Sequence, residues 1–410
     1  LYFNNFKDQL ANFYWTVVTM DITIKNLKQL IQSSHINFLY GSGLSRNYLS
    51  TLGNIEKLLT ETSESEIDDK LKNIIKASLF ATYVETVMEP CLPEKIKGNQ
   101  GEYEKTFQEY VRFLNSINRI ISRRNVNLID KQISLFTTNI DDFMEKAAEK
   151  TMVEFNDGFK GHIEPVFGED SFSTIKSKSS TLYQNNSPIP VFNLLKIHGS
   201  INWMTKDNSE ITYDAKLSLI RELSDALNEQ FKKQLIEITD KSTIEDLEEE
   251  ASLNDVFYGV EDYNHFNQLY SKLVMINPTK AKFRETVIDY HFYELMRIYS
   301  NALERSSSLL IVAGFSFADE HIANITMRAA NANPTLQIIV FAYNEDAKED
   351  IKSILGKKGI CNNNISIISP QDFKEAAIRE NPDTKEFEGL KCFDFKSIND
   401  FVFDKLVSII

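Results

Sequence analysis

The sequence predicts an α/β fold, a Rossmann-like doubly wound parallel sheet with helical insertions. Three observations predict it. Short apolar, strand-like runs recur along the chain and stop abruptly at polar or glycine-bearing turns, as at Ile36-Asn37-Phe38-Leu39-Tyr40 before Gly41. Some of those turns lead into helix-patterned segments, which gives the strand, turn and helix unit of a parallel sheet. The chain, 410 residues with 42% hydrophobic content, is long enough to bury a large core.

The elements follow in order. Residues 1–24 read as an N-terminal extension, with Met20 as a candidate natural start, and the domain occupies 25–410. Asn26 to Ser34 reads as a short helix and Ile36 to Tyr40 as the first strand. A helical region covers 52–124, where Phe107, Tyr110, Val111, Leu114 and Ile117 recur at spacings of three and four, the pattern of a core-facing stripe. Ile133 to Thr137 is the second strand, and Asn139 and Asp141 mark the start of a helix that runs to Lys150. Val191 to Ile197, Lys272 to Ile276, Ser308 to Ala313, Leu336 to Tyr343 and Ile365 to Ile368 supply five further strands. An acidic helical insertion over 204–271, containing Glu245-Asp246-Leu247-Glu248-Glu249-Glu250, reads as a solvated surface.

Charge and cysteine usage exclude several classes. Forty-five basic and 59 acidic side chains leave a formal net charge of −14, which disfavours direct nucleic-acid binding and anionic membrane surfaces. Cys91, Cys361 and Cys392 are far apart with no paired spacing, so no metal site is expected and a reducing, cytoplasmic setting fits. No apolar run approaches the roughly 18 residues of a membrane span.

Chemistry concentrates at the strand ends. In Gly41-Ser42-Gly43-Leu44-Ser45 the glycines allow a sharp turn and close approach to a pyrophosphate, a following helix is expected to add N–H donors, and Ser45 a hydroxyl. A plain strand-to-helix turn uses the same residues. Asn139, in Thr138-Asn139-Ile140-Asp141, has an amide that can hold a ribose hydroxyl or orient water, or cap a helix. Asp141 can steady Asn139, can face a cationic sugar, or can serve as an N-terminal helix charge. His198, alone among six histidines, sits at a strand end before Gly-Ser, where a neutral ring with an ordinary pKa of about 6.5 can take a proton. Gly314 and Ser316, in Gly314-Phe315-Ser316-Phe317-Ala318-Asp319, approach the same crevice from its other side, with Asp319 and His321 shaping the turn.

The set resembles the sirtuin-like superfamily, whose pocket holds NAD. Gly41-Ser42-Gly43-Leu44-Ser45 is similar to the sirtuin Gly-Ala-Gly-x-Ser loop, Thr138-Asn139-Ile140-Asp141 to Gln-Asn-Ile-Asp, and His198-Gly199-Ser200 to His-Gly-Ser. The Gly314-Phe315-Ser316-Phe317 string is more similar to the NAD hydrolases of bacterial antiphage defence than to protein deacylases. The resemblance implies NAD as substrate, Asn139 and His198 as the pair required to cleave it, and Gly41, Ser42, Gly43, Ser45, Thr138, Asp141, Gly314, Ser316 and Asn344 as its binding residues, Asn344 at the adenosine ribose.

Departures from the deacylase pattern point the same way. Ile201 to Ser271 contains no cysteine, so the two cysteine pairs of the deacylase zinc module are missing. Asn47-Tyr48-Leu49-Ser50 stands where deacylases carry Pro-Asp-Phe-Arg. Val166-Phe167-Gly168-Glu169 resembles the deacylase peptide-pairing segment but precedes His198, and is read as coincidence. The expectation is an NAD hydrolase with water as acceptor; a deacylase or ADP-ribosyltransferase and a non-catalytic NAD-sensing scaffold are the alternatives. Because a free NAD hydrolase would poison its host, a homo-oligomer restrained by assembly is expected, and the resemblance implies a HerA-type hexameric ATPase as partner.

Overall fold

The computed structural model describes residues 21–51, 55–124, 129–182, 185–206, 210–239, 241–257, 261–276, 290–356, 359 and 362–410. Seven strands form the central sheet: β1 (His35–Tyr40), β2 (Gln132–Thr137), β3 (Phe155–Asn156), β4 (Val191–Lys196), β5 (Ser308–Ala313), β6 (Gln337–Phe341) and β7 (Ile365–Ile368). Their order is β7-β6-β5-β1-β2-β4-β3, and all neighbouring pairs are parallel. From β1 the chain moves outward to β2, whereas from β5 it moves the opposite way to β6. The boundary between β1 and β5 is therefore a topological switch point, where an open α/β sheet forms its crevice.

Both faces of the sheet are covered, so β4 and β5 are buried at every position. Ile36, Phe38 and Tyr40 point into one core with the helix Gln100–Ser122, whose Phe113 ring meets Phe38 at 5.2 Å and Tyr40 at 5.3 Å, both edge-on. Burying one such ring stabilises the fold by roughly 2–3 kcal/mol. Leu39, Leu310 and Val312 point the other way, into a second core with the helices Tyr290–Glu304 and Glu320–Ala332. Alternation along each strand thus feeds two cores.

Five expectations need correction. Leu273 to Ile276 are buried but form no strand; Met275 makes an isolated antiparallel bridge to Gly199, and β3 is the seventh strand of the sheet instead. A short apolar run is buried equally well against a loop as in a ladder, and periodicity does not separate the two. Segment 204–271 is not wholly helical, because Trp203–Lys206 and Glu210–Tyr213 pair antiparallel and join Phe159–Lys160 and Val166–Phe167 in a four-stranded sheet. Nor are its helices simply solvated: Leu247, Ala251, Tyr263, Phe266 and Tyr270 are buried, and Tyr270 stacks at 3.9 Å on Phe80 from the 52–124 region. Glu245, Glu249 and Glu250 stay exposed on the outer face of that shared helical layer.

The helix expected immediately after Tyr40 is a single 3-10 turn, Ser42–Leu44, because Ser45 turns inward and anchors the chain. At the N-terminus, Ile22 is buried and Thr23 caps the helix Ile24–Ser33 by accepting from the Asn26 N–H at 3.3 Å, so 21–24 belong to the fold. Met20 and the residues before it lie outside the described residues, as does Cys361. Among the described residues no helix is long and apolar enough to cross a membrane.

Candidate functional site

The strand ends share one level. Tyr40 is in register with Ala313 on one side and Thr137 on the other, and Thr137 with Lys196. The loops bearing Gly41 to Ser45, Thr138 to Asp141, His198 to Ser200 and Gly314 to Asp319 therefore leave four contiguous strands, β5-β1-β2-β4, side by side at their carboxyl ends.

At the switch point two of these loops interlock. The Gly43 N–H donates to the Gly314 carbonyl at 3.0 Å and the Gly41 N–H to Ala313 at 3.3 Å. Gly314 has φ +63°, and a Cβ there would lie 2.8 Å from the Leu44 nitrogen; one on Gly41 would lie 2.5 Å from the Gly314 oxygen. Only glycine permits that approach of two backbones. Ser42 and Ser316 remain exposed beside the junction.

Ser45 and Asp141 face inward. The Tyr110 hydroxyl lies 2.7 Å from Ser45 Oγ, which donates to Asp141 Oδ2 at 3.1 Å, while Asp141 Oδ1 accepts the Phe143 N–H at 3.2 Å. Burial, reinforced by the negative charge of Asp141, pushes the Tyr110 hydroxyl well above its ordinary pKa and keeps it a donor. Its hydrogen-bond partner is Ser45, and the Asn139 amide lies near it. The Asn139 amide oxygen is buried without a hydrogen-bond partner among the described residues. Thr138 is half-buried beside it, its N–H on the Tyr40 carbonyl at 3.3 Å.

A buried ion pair underlies the Asn139 and His198 loops. Lys196, at the end of β4, lies 2.7 Å from Glu145, with 3% and 9% of the side chains exposed. Its ammonium also donates to the Asp141 carbonyl and, at 2.6 Å, to Ser200 Oγ. Ser200 Oγ and the Ile201 N–H both donate to the Ile140 carbonyl, at 3.1 and 3.0 Å. These bonds fix the two loops relative to each other. Burial raises the Glu145 and Asp141 carboxyls, against the opposing charge of Lys196.

His198 Nε2 lies 2.9 Å from Asp319 Oδ2, with both side chains largely buried. Gly199, at φ +77°, turns the chain so tightly that a Cβ would lie 2.2 Å from the Val274 carbonyl oxygen. The His198 carbonyl accepts the Ile276 N–H at 2.9 Å, so the buried 273–276 run supports this turn rather than the sheet. Asn344, after β6, accepts the Ala347 N–H at 2.9 Å and so caps the helix Glu345–Gly356. A cavity of about 240 Å³ lined by Thr23, Phe373, Phe387 and Lys405, among others, contains none of the motif residues.

Compared with known proteins, the chain matches no protein-family model and no curated protein.

Four residues of the site escape sequence reasoning. Tyr110 reads as one more position of a core stripe, and Asp319 as a turn residue. Lys196 and Glu145 carried a signal: a lysine closing an otherwise apolar strand, and an acidic residue in the first turn of the helix after Asp141.

Proposed function

We propose that the chain is an NAD hydrolase that cleaves the nicotinamide–ribose bond, releasing nicotinamide and ADP-ribose, and that NAD depletion serves antiphage defence. The observation that supports this reading most is the in-register row of strand ends, which gathers the glycine loop, Asn139, His198 and the Gly314 loop at one switch point. The exposed hydroxyls of Ser42 and Ser316 suit a dinucleotide, and the unpartnered Asn139 oxygen suits a ribose hydroxyl or a water. With their hydrogen bonds made inside the protein, Ser45 and Asp141 support the site rather than touch the substrate.

In this reading Asn139 positions the ribose or the attacking water, and the exposed Ser42 and Ser316 hydroxyls on the interlocked loops contact the phosphates of NAD. Water oxygen bonds to ribose C1′ as the C1′–N bond breaks, and the electron pair of that bond leaves on neutral nicotinamide. His198 takes the water proton and later releases it to solvent, so NAD and water give nicotinamide, ADP-ribose and one proton. The same reading makes the protein a cytoplasmic homo-oligomer whose turnover is switched by assembly with a HerA-type hexameric ATPase.

Chromatography of NAD incubated with the purified protein, alone and with the ATPase, tests the activity. Equal amounts of nicotinamide and ADP-ribose are expected. Acetylated ADP-ribose formed only with an acyl peptide would make the chain a deacylase, and NAD binding without product in every assembly state would make it a scaffold.

A further inference from the structure

We propose that Asp319 is the positioning residue for His198: its carboxylate fixes the orientation of the ring and holds its proton on Nε2. The kinetic consequence rests on the NAD-hydrolase reading; the tautomer itself does not.

The pair is assembled across the crevice. His198 follows β4 and Asp319 follows β5, and β1 and β2 lie between those strands, a separation of about 14 Å at ordinary strand spacing. The loop Gly314 to Ala318 crosses that gap with two residues in the left-handed region, Gly314 at φ +63° and the buried Phe317 at φ +61°. A buried bulky residue held there is strained, the kind of cost that surrounding structure sustains at functional loops.

Asp319 is held rigidly at the end of that loop. Its Oδ1 accepts the N–H groups of His321 and Ile322, at 3.0 and 3.2 Å, and so caps the helix Glu320–Ala332. The same contacts aim Oδ2 at His198 Nε2, 2.9 Å away. An ionised carboxylate only accepts, so a neutral imidazole facing it carries its proton on Nε2 and its lone pair on Nδ1. When the ring takes the proton of the attacking water, Asp319 stabilises the resulting imidazolium without itself being protonated.

Asp319→Asn and Asp319→Ser separate this role from the cap, because both replacements retain a capping oxygen and remove the carboxylate. Nitrogen NMR of histidine-labelled full-length protein, above about pH 8 and without NAD, reads the tautomer, with His198→Gln assigning the signal. The parent should show Nε2 protonated, and the variants should lose that preference. With NAD, kcat should fall about a hundredfold or more while KM stays within about threefold. A proton on Nδ1 in the parent overturns the proposal even if neither variant folds. So does a folded variant with the parent's tautomer and kcat. A parent that never cleaves NAD instead defeats the hydrolase reading, and the spectrum still decides the pair.

Discussion

Asn139 and His198 differ in how the protein holds them, and that difference shapes what their loss should do. Asn139 neighbours the Tyr110 hydroxyl, and its oxygen has no partner among the described residues, so Asn139→Ala removes an acceptor without stranding another buried charge. His198→Ala removes the proton acceptor and leaves Asp319 still bound by two backbone N–H groups. Each change should lower NAD turnover at least about a hundredfold with the thermal melt unchanged; near-parent turnover in either folded variant would remove that residue from the chemistry. Lys196 belongs to a different category. Lys196→Met strands Glu145 in a dry site and should cost about 3 kcal/mol in urea unfolding, because breaking a buried pair exposes the desolvation penalty of the remaining partner. The double change Lys196→Met with Glu145→Leu should recover at least half of that loss, and failure to recover any would show that the bonds to Asp141 and Ser200 dominate instead.

At the scale of elements, the junction of the β1 and β5 loops is closed by backbone rather than by side chains. Gly314→Ala places a Cβ 2.8 Å from the Leu44 nitrogen at φ +63°, where it must push the two loops apart. A loss of about 1–3 kcal/mol is expected, together with weaker NAD binding, since the same loops form the crevice. Gly98→Ala serves as the control. No atom lies within 4 Å of a Cβ built there, so its stability should change by less than about 0.5 kcal/mol. Equal effects at the two positions, in thermal or urea melts, would show that the interlock does not constrain the loops.

Taken whole, the chain is acidic, and the 52–124 and 204–271 regions pack together as one helical layer. An unrestrained NAD hydrolase would exhaust its own host, which is the physical motive for placing control in assembly. Turnover is therefore expected to depend on protein concentration and on the ATPase. Light scattering and NAD turnover measured on one sample across dilution, with and without that ATPase, check the claim; a monomer fully active under all conditions would refute it. Exposed Glu245, Glu249 and Glu250 offer a surface for charge-reversal variants in the same assay.

By itself the sequence determined the fold class and the positions of the crevice loops, because buried parallel strands are read from short apolar runs and their ends from glycine and polar turns. It also made the two candidate reacting residues, Asn139 and His198, legible, since each interrupts the chain immediately after such a run. The tertiary structure decided the rest. Whether Leu273 to Ile276 paired in the sheet depended on the loop they met, and whether Ser45 faced substrate or Tyr110 depended on a helix 65 residues away. Lys196 with Glu145, and His198 with Asp319, are meetings across strands, set by the order β5-β1-β2-β4 rather than by spacing along the chain. Local pattern reports which face of an element is apolar; it carries no information about which polar groups long-range packing brings within hydrogen-bonding distance.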